Sequence, residues 1–110
     1  MVREFVVKLG CERDFAIIFG SDGMWCGLLR RYAAGFLVTE LQWIGGRRFR
    51  VKDYWSSHLK FEAFREWRQH EVEQFRDWLT SKEVVEHETV LGSFYVDDSD
   101  WDEGAGLVSA

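Results

Sequence analysis

Two spacings of apolar residues follow each other along this chain, a period of two that is typical of strands and a period of about 3.6 that is typical of helices. The segment from Phe36 to Trp43 is rich in β-branched and aromatic residues, whereas Phe15, Ile18 and Phe19 fall at i, i+3 and i+4. Together the patterns predict strands at about 2–9, 36–43, 47–55 and 88–96, short helices at about 12–19 and 24–31, and one long helix at about 58–79.

The middle of the chain carries the clearest of these patterns. Gly45 and Gly46 separate the second and third predicted strands and supply the positive φ that a tight hairpin requires. Ser56 and Ser57 follow the third strand and offer a side-chain cap for the long helix. The apolar residues of that helix recur with helical spacing, at Phe61, Phe64, Phe75 and Leu79.

The resulting order is βαββαβ when the two short helices are counted as one helical region. This order predicts an α+β, ferredoxin-like fold with a four-stranded antiparallel sheet. A chain of 110 residues has room for one core. We therefore predict one domain, which spans residues 1–96.

The formal charge of −5 comes from one end of the chain. Residues 1–96 hold all 14 lysines and arginines and 14 of the 19 acidic residues, so this part is formally neutral. The other acids lie between Asp97 and Glu103, and residues 97–110 are therefore predicted to be an acidic, disordered tail. The alternative is an interaction tail that uses Trp101. A neutral body favours neither nucleic acid nor a membrane surface as a partner.

The cysteines and the apolar runs exclude several classes of protein. Cys11 and Cys26 lie far from any histidine pattern, which argues against a zinc site. No apolar run approaches the roughly 20 residues of a membrane span, and the charged first strand is unlike a signal peptide. We therefore expect a cytoplasmic protein without a metal.

Several short segments, taken in their order and spacing, resemble the antibiotic-biosynthesis-monooxygenase (ABM) group of dimeric α+β barrels. No segment is diagnostic by itself, but together they extend over nearly all of residues 2–96. The matching segments are Arg3-Glu4-Phe5-Val6-Val7, Phe15, Phe19-Gly20, Gly23-Met24-Trp25, Gly35-Phe36-Leu37-Val38-Thr39-Glu40-Leu41, Tyr54-Trp55-Ser56-Ser57, Phe61-Glu62-Ala63-Phe64 and Leu91-Gly92-Ser93-Phe94.

This resemblance implies a homodimer in which two four-stranded sheets face each other, with a pocket between the sheet and the helices of each subunit. It also implies a monooxygenase that needs no cofactor and acts on a small aromatic substrate, since some members oxygenate aromatic polyketides. Many members have no known activity, so a non-catalytic dimeric ligand-binding or scaffold domain is the alternative. Apolar residues on both faces of the second strand, Phe36 and Val38 against Leu37 and Leu41, agree with a sheet that has a partner.

Four residues near the long helix are candidates for contact with a substrate. On a helical wheel, Arg68 and Glu71 fall in the same sector as the apolar residues, where they can pair with each other and form a polar spot in an aromatic pocket. A structural bridge at a bend or at the dimer contact is the alternative for this pair. Trp55, at the end of the third strand, and Trp67, at the edge of the apolar sector, are either pocket-lining or core residues.

Haem degradation and RNA binding are two further alternatives, which the residues favour less. Haem-degrading members of the resembled group use an Asn on the first strand, but this chain has no Asn, and Arg3 stands at the corresponding position. Trp67 fits the Trp of those members, whereas His70 does not fit their axial ligand. An RNA-recognition module needs, on its third strand, a Gly and exposed rings that residues 47–51 do not supply.

Arg3 is a further candidate for contact with a substrate, because it stands at the first-strand position where the haem-degrading members have their Asn.

Overall fold

Within residues 1–93, which the computed structural model describes, four strands and four helices follow one another. Residues 94–96 of the predicted domain and the whole predicted tail at 97–110 lie outside the described residues. The elements are β1 (Val2–Val7), α1 (Glu12–Phe19), α2 (Met24–Tyr32), β2 (Phe36–Gly45), β3 (Arg48–Trp55), α3 (His58–Trp67), α4 (Gln69–Ser81) and β4 (Val85–Gly92).

The strands form one antiparallel sheet in the order β2-β3-β1-β4. Together with the order of the elements, this is the ferredoxin-like α+β arrangement that the sequence predicts. Strand β1 pairs with β3, where Phe5 lies opposite Phe49, and with β4, where Val7 lies opposite Val85. The centre of the sheet therefore consists of β1 and β3.

Alternation along the two central strands places one set of side chains beneath the helices. The helices meet this set with aromatic rings, and the ring centroid of Phe15 lies 5.0 Å from those of both Phe5 and Phe49. We call this side of the sheet the inner face; its residues on the central strands are Arg3, Phe5, Val7, Phe49, Val51 and Asp53. The opposite side, the outer face, carries Glu4, Val6, Arg48, Arg50 and Lys52.

The bounds of α1, of α2 and of the hairpin formed by β2 and β3 agree with the prediction to within two residues. Gly23 separates α1 from α2 at a position where an added Cβ would collide with the carbonyl oxygens of Ile17 and Ile18. Ser57 caps α3, because its Oγ accepts a hydrogen bond from the backbone N–H of Lys60 at 3.2 Å. No helix among the described residues is long and apolar enough to cross a membrane.

The prediction of one long helix at 58–79 is wrong, because two helices take its place. Between α3 and α4, Arg68 has φ −121° and ψ 24°, outside the helical region. An unbroken helix would carry Arg68 and Glu71 into the buried sector. The break instead leaves Arg68 exposed and Glu71 partly exposed, while the apolar residues of α4, Phe75 and Leu79, are buried.

Several strand boundaries also differ from the prediction by a few residues, among them the end of β2, at Gly45 rather than near 43, and the end of β4, at Gly92 rather than near 96. Strand β1 ends at Val7, and Leu9 is exposed, because the chain turns where the N–H of Cys11 donates to the carbonyl of Lys8. Strand β4 begins at Val85 rather than near residue 88, since Val85 already pairs with Val7.

Candidate ligand-binding cavity

An open cavity of about 400 Å³ lies between the inner face of the sheet and helices α3 and α4. This volume falls in the range of about 300–1,000 Å³ that is usual for small-molecule sites. We call its buried and half-buried lining residues the floor: Met1, Arg3, Trp25, Asp53, Trp55, Phe61, Phe64 and Val72. We call its exposed lining residues the rim: Glu62, Arg65, Glu66, Gln69, Glu73 and Arg76.

Asp53 is a buried carboxylate that three side chains hold in place. Its Oδ1 accepts a hydrogen bond from Thr39 Oγ1 at 2.7 Å and another from Trp25 Nε1 at 2.9 Å. Its Oδ2 lies 3.5 Å from Nη2 of Arg3. Thr39 reaches it because β2 pairs with β3 and places the two residues opposite each other. The charge of Asp53 is therefore compensated, and its orientation is defined.

The guanidinium of Arg3 is buried against the rings of the core. Its Cζ lies 4.5 Å from the ring centroid of Trp25, within the range of a cation–π contact. Burial lowers the pKa of Arg3 below its ordinary value, while Asp53 and Glu88 oppose this change, and the side chain stays protonated at neutral pH. Nε and Nη2 of Arg3 have no hydrogen-bond partner among the described residues. Arg3 therefore lines the cavity and has donors that make no hydrogen bond to the described residues.

Trp55 contributes a second buried donor without a partner. Its ring packs against Phe36, Phe61 and Phe64, with centroid distances of 6.0, 5.3 and 5.3 Å. Its Nε1 makes no hydrogen bond to the described residues. Because a buried donor without a partner costs about 1–3 kcal/mol, this part of the floor is suited to a hydrogen-bond acceptor.

The structure brings two of the residues predicted from the sequence, Arg3 and Trp55, to the same cavity. The other three, Trp67, Arg68 and Glu71, lie where α3 meets α4 and do not line it. Trp67 is 76% exposed.

Arg68 and Glu71 do pair with each other at the junction of α3 and α4. Nη1 of Arg68 lies 3.3 Å from Oε1 of Glu71. The Cζ of Arg68 also lies 5.0 Å from the ring centroid of Tyr32, at the end of α2. The pair therefore connects the junction to α2 rather than facing the cavity.

Sequence reasoning missed Asp53, Trp25 and Thr39 as members of this site. A signal for Asp53 was present, because it continues the alternation of Phe49, Val51 and Trp55 on one strand face. A carboxylate at such a position is expected to be buried and to need partners. Nothing in the local pattern identifies Trp25, which lies 28 residues away from Asp53 in the chain.

Comparison of the chain with models of protein families, with curated proteins and with solved structures found no match. In residues 1–93, no group of three or more His, Cys, Asp or Glu side chains is placed to hold a metal ion. The functional argument therefore starts from the geometry of the cavity.

Proposed function

We propose that the cavity binds a small aromatic molecule that carries a hydrogen-bond acceptor. The observation that supports this is the presence, in one ring-lined cavity, of two residues with unpaired buried donors, Arg3 and Trp55. The rings of Trp25, Phe61 and Phe64 supply apolar contact to a flat ligand. An acceptor that reaches either donor gains a hydrogen bond that a hydrocarbon of the same shape does not gain.

Two ligands of matched shape test this proposal, acetylnaphthalene and its isopropyl isostere, with affinities measured by calorimetry. We expect the ketone to bind more tightly. Trp55→Phe, which keeps a ring but removes the donor, should weaken binding of the ketone by about two- to tenfold and leave the hydrocarbon unaffected. Trp43→Phe is the control, because Trp43 is exposed and its Nε1 donates to the carbonyl of Gly46 outside the cavity. Equal affinities for the two ligands in the wild-type protein would contradict the proposal.

The reaction that we propose for such a ligand is oxygenation by O2, which the resemblance to the ABM group implies. A methylene between aromatic rings would become a ketone; one oxygen atom of O2 enters the ketone and the other leaves as water with the two hydrogens. Arg3 supports this proposal, since its buried guanidinium can donate to the oxygen of a neutral ligand ketone or enol and stabilise the negative charge that develops there during the reaction. The electron-rich enol of such a ligand can react with O2 directly.

Oxygen uptake with anthrone, measured against the uncatalysed rate, tests the reaction. Uptake should exceed the uncatalysed rate and should decline in Arg3→Met more than in Arg3→Lys, which keeps the charge; circular dichroism verifies that both variants fold. Binding of aromatic ketones without faster oxygen uptake would reject oxygenation and leave the alternative, a non-catalytic ligand-binding domain.

The same resemblance leads us to propose a homodimer that forms through the outer face of the sheet. Within residues 1–93, the buried core lies between the inner face and the helices, whereas Val38, across the sheet from Tyr54, is 52% exposed. Sedimentation at micromolar concentration tests this, and a species of about 13.0 kDa would contradict it.

A further inference from the structure

We propose that the ligand of this cavity is an organic monocation whose charged end lies at the rim and whose neutral acceptor lies at the floor. This inference rests on the ligand-binding function proposed above and specifies the chemical class of the ligand. Four features of the structure carry it: the paired arginines of the rim, its uncompensated glutamates, the compensated charge of the floor, and the rings that no protein cation covers.

Both arginines of the rim already have an acidic neighbour. Nη1 of Arg65 lies 3.4 Å from Oε1 of Glu62, one turn earlier on α3. Nη2 of Arg76 lies 4.0 Å from Oε2 of Glu88 on β4. The rim therefore holds no cation, among the described residues, that is free of a carboxylate and ready for an anionic ligand.

Two glutamates of the rim remain uncompensated. Oε1 of Glu73 accepts a hydrogen bond from Nε2 of Gln69 at 3.1 Å, and this partner is neutral. Neither Glu66 nor Glu73 has a cation within salt-bridge distance among the described residues. The mouth of the cavity therefore has a net negative charge, which attracts a cation and repels an anion.

The floor disfavours an anion for a different reason. Asp53 and Glu88 both lie within 4.0 Å of the Arg3 guanidinium, at 3.5 and 3.9 Å. Oε2 of Glu88 is itself buried without a hydrogen-bond partner. A ligand carboxylate at Arg3 would therefore meet two carboxylates in a poorly solvated site. The N-terminal ammonium of Met1, which also lines the floor, already donates to the backbone carbonyl of Asp53 at 3.1 Å, and burial lowers its pKa. A neutral acceptor therefore fits the floor better than an anion.

The aromatic residues of the floor agree with an aromatic ligand whose charge lies elsewhere. Arg3 already covers Trp25 at 4.5 Å, and Arg65 lies over Phe61 at 5.8 Å. Trp55 and Phe64 have no protein cation over their rings among the described residues. These rings are therefore open to the aromatic body of the ligand, while its charged end stays at the rim.

Three probes that share an acetyl acceptor and differ only at the para position test the inference: para-acetyl-N,N,N-trimethylanilinium, para-tert-butylacetophenone and para-acetylbenzoate. We expect calorimetry at about 10 mM salt to show the cation binding about three- to tenfold more tightly than the neutral isostere, with the benzoate weakest. The preference for the cation should diminish at about 0.3 M salt, where exposed charges are screened.

Variants of the rim locate the effect. Glu66→Gln with Glu73→Gln should together weaken binding of the cation by about three- to tenfold, which removes its preference, and leave binding of the neutral isostere unchanged. Asp77→Asn is the matched control, because Asp77 is an exposed acid of α4 that does not line the cavity. It should leave all three affinities unchanged.

The outcomes separate this inference from the function on which it rests. If none of the three probes binds, the proposed ligand-binding function fails, and the inference fails with it. If the neutral probe or the benzoate binds as tightly as the cation, or if the double variant weakens all probes equally, only the cationic ligand is overturned.

Discussion

The two faces of the sheet carry the same kind of ion pair between the same two strands, but in different surroundings. On the inner face, Arg3 and Asp53 have side chains that are 6% and 2% exposed, and their charged atoms lie 3.5 Å apart. On the outer face, Glu4 and Arg50 approach to 2.7 Å, with exposures of 18% and 33%. The shorter contact is thus the more exposed one. Solvation rather than distance decides what the loss of a partner costs.

The largest effect should come from breaking the inner pair. Arg3→Met leaves the Asp53 carboxylate buried without its cation, and we expect the free energy of unfolding to decrease by about 3–5 kcal/mol. Urea denaturation measures this change.

A second substitution identifies the cause of that loss. Asp53→Asn removes the charge but keeps an oxygen that can accept from Trp25 and Thr39. Arg3→Met with Asp53→Asn should therefore be more stable than Arg3→Met alone. A double variant that is less stable than the single one would show that an uncompensated charge is not what destabilises it.

An intermediate effect is expected when a hydrogen bond to the inner pair is removed and its charges are kept. Trp25→Phe removes the donor to Oδ1 of Asp53 and should reduce the free energy of unfolding by about 1–3 kcal/mol. Trp43→Phe, which removes an exposed hydrogen bond, should reduce it less. Equal losses in the two variants would refute the importance of burial for this contact.

The smallest effect should come from the outer face, and it should depend on pH. The hydrogen bond from Arg50, with help from Arg48, holds the pKa of Glu4 below its ordinary value of 4.5. Because the folded-state pKa is the lower one, the stabilisation is fully present above about pH 4.5 and is lost as the pH falls through the folded-state pKa. Glu4→Gln should therefore flatten the acid side of a melting-temperature profile. An unchanged profile would contradict this.

Much of the fold could be predicted because its signals are local. Phe15, Ile18 and Phe19 define one helix face, and Ser57 caps α3. The break at Arg68 had no such signal, since neither Gly nor Pro is near it. At this break Arg68 contacts Tyr32 of α2. This is a contact between distant parts of the chain, which the periodicity of the sequence cannot predict.

The site was less predictable than the fold for a related reason. Periodicity identifies the face on which a residue lies but not the residue it meets. Arg3 was a candidate through the resemblance to the ABM group, whereas its neighbours Asp53, Trp25 and Glu88 come from three other elements. Only the folded sheet and α2 together define this group.

The order of charges along β1 has a consequence for how the sheet assembles. Arg3 faces inward and Glu4 outward, so a slip of β1 by one residue would exchange them. Glu4 would then lie inside with Asp53 and Glu88, three anions in a poorly solvated core, while Arg3 would lie beside Arg50 on the outside. The two neighbouring charges thus favour the observed register of β1, because a register shifted by one residue would be electrostatically unfavourable.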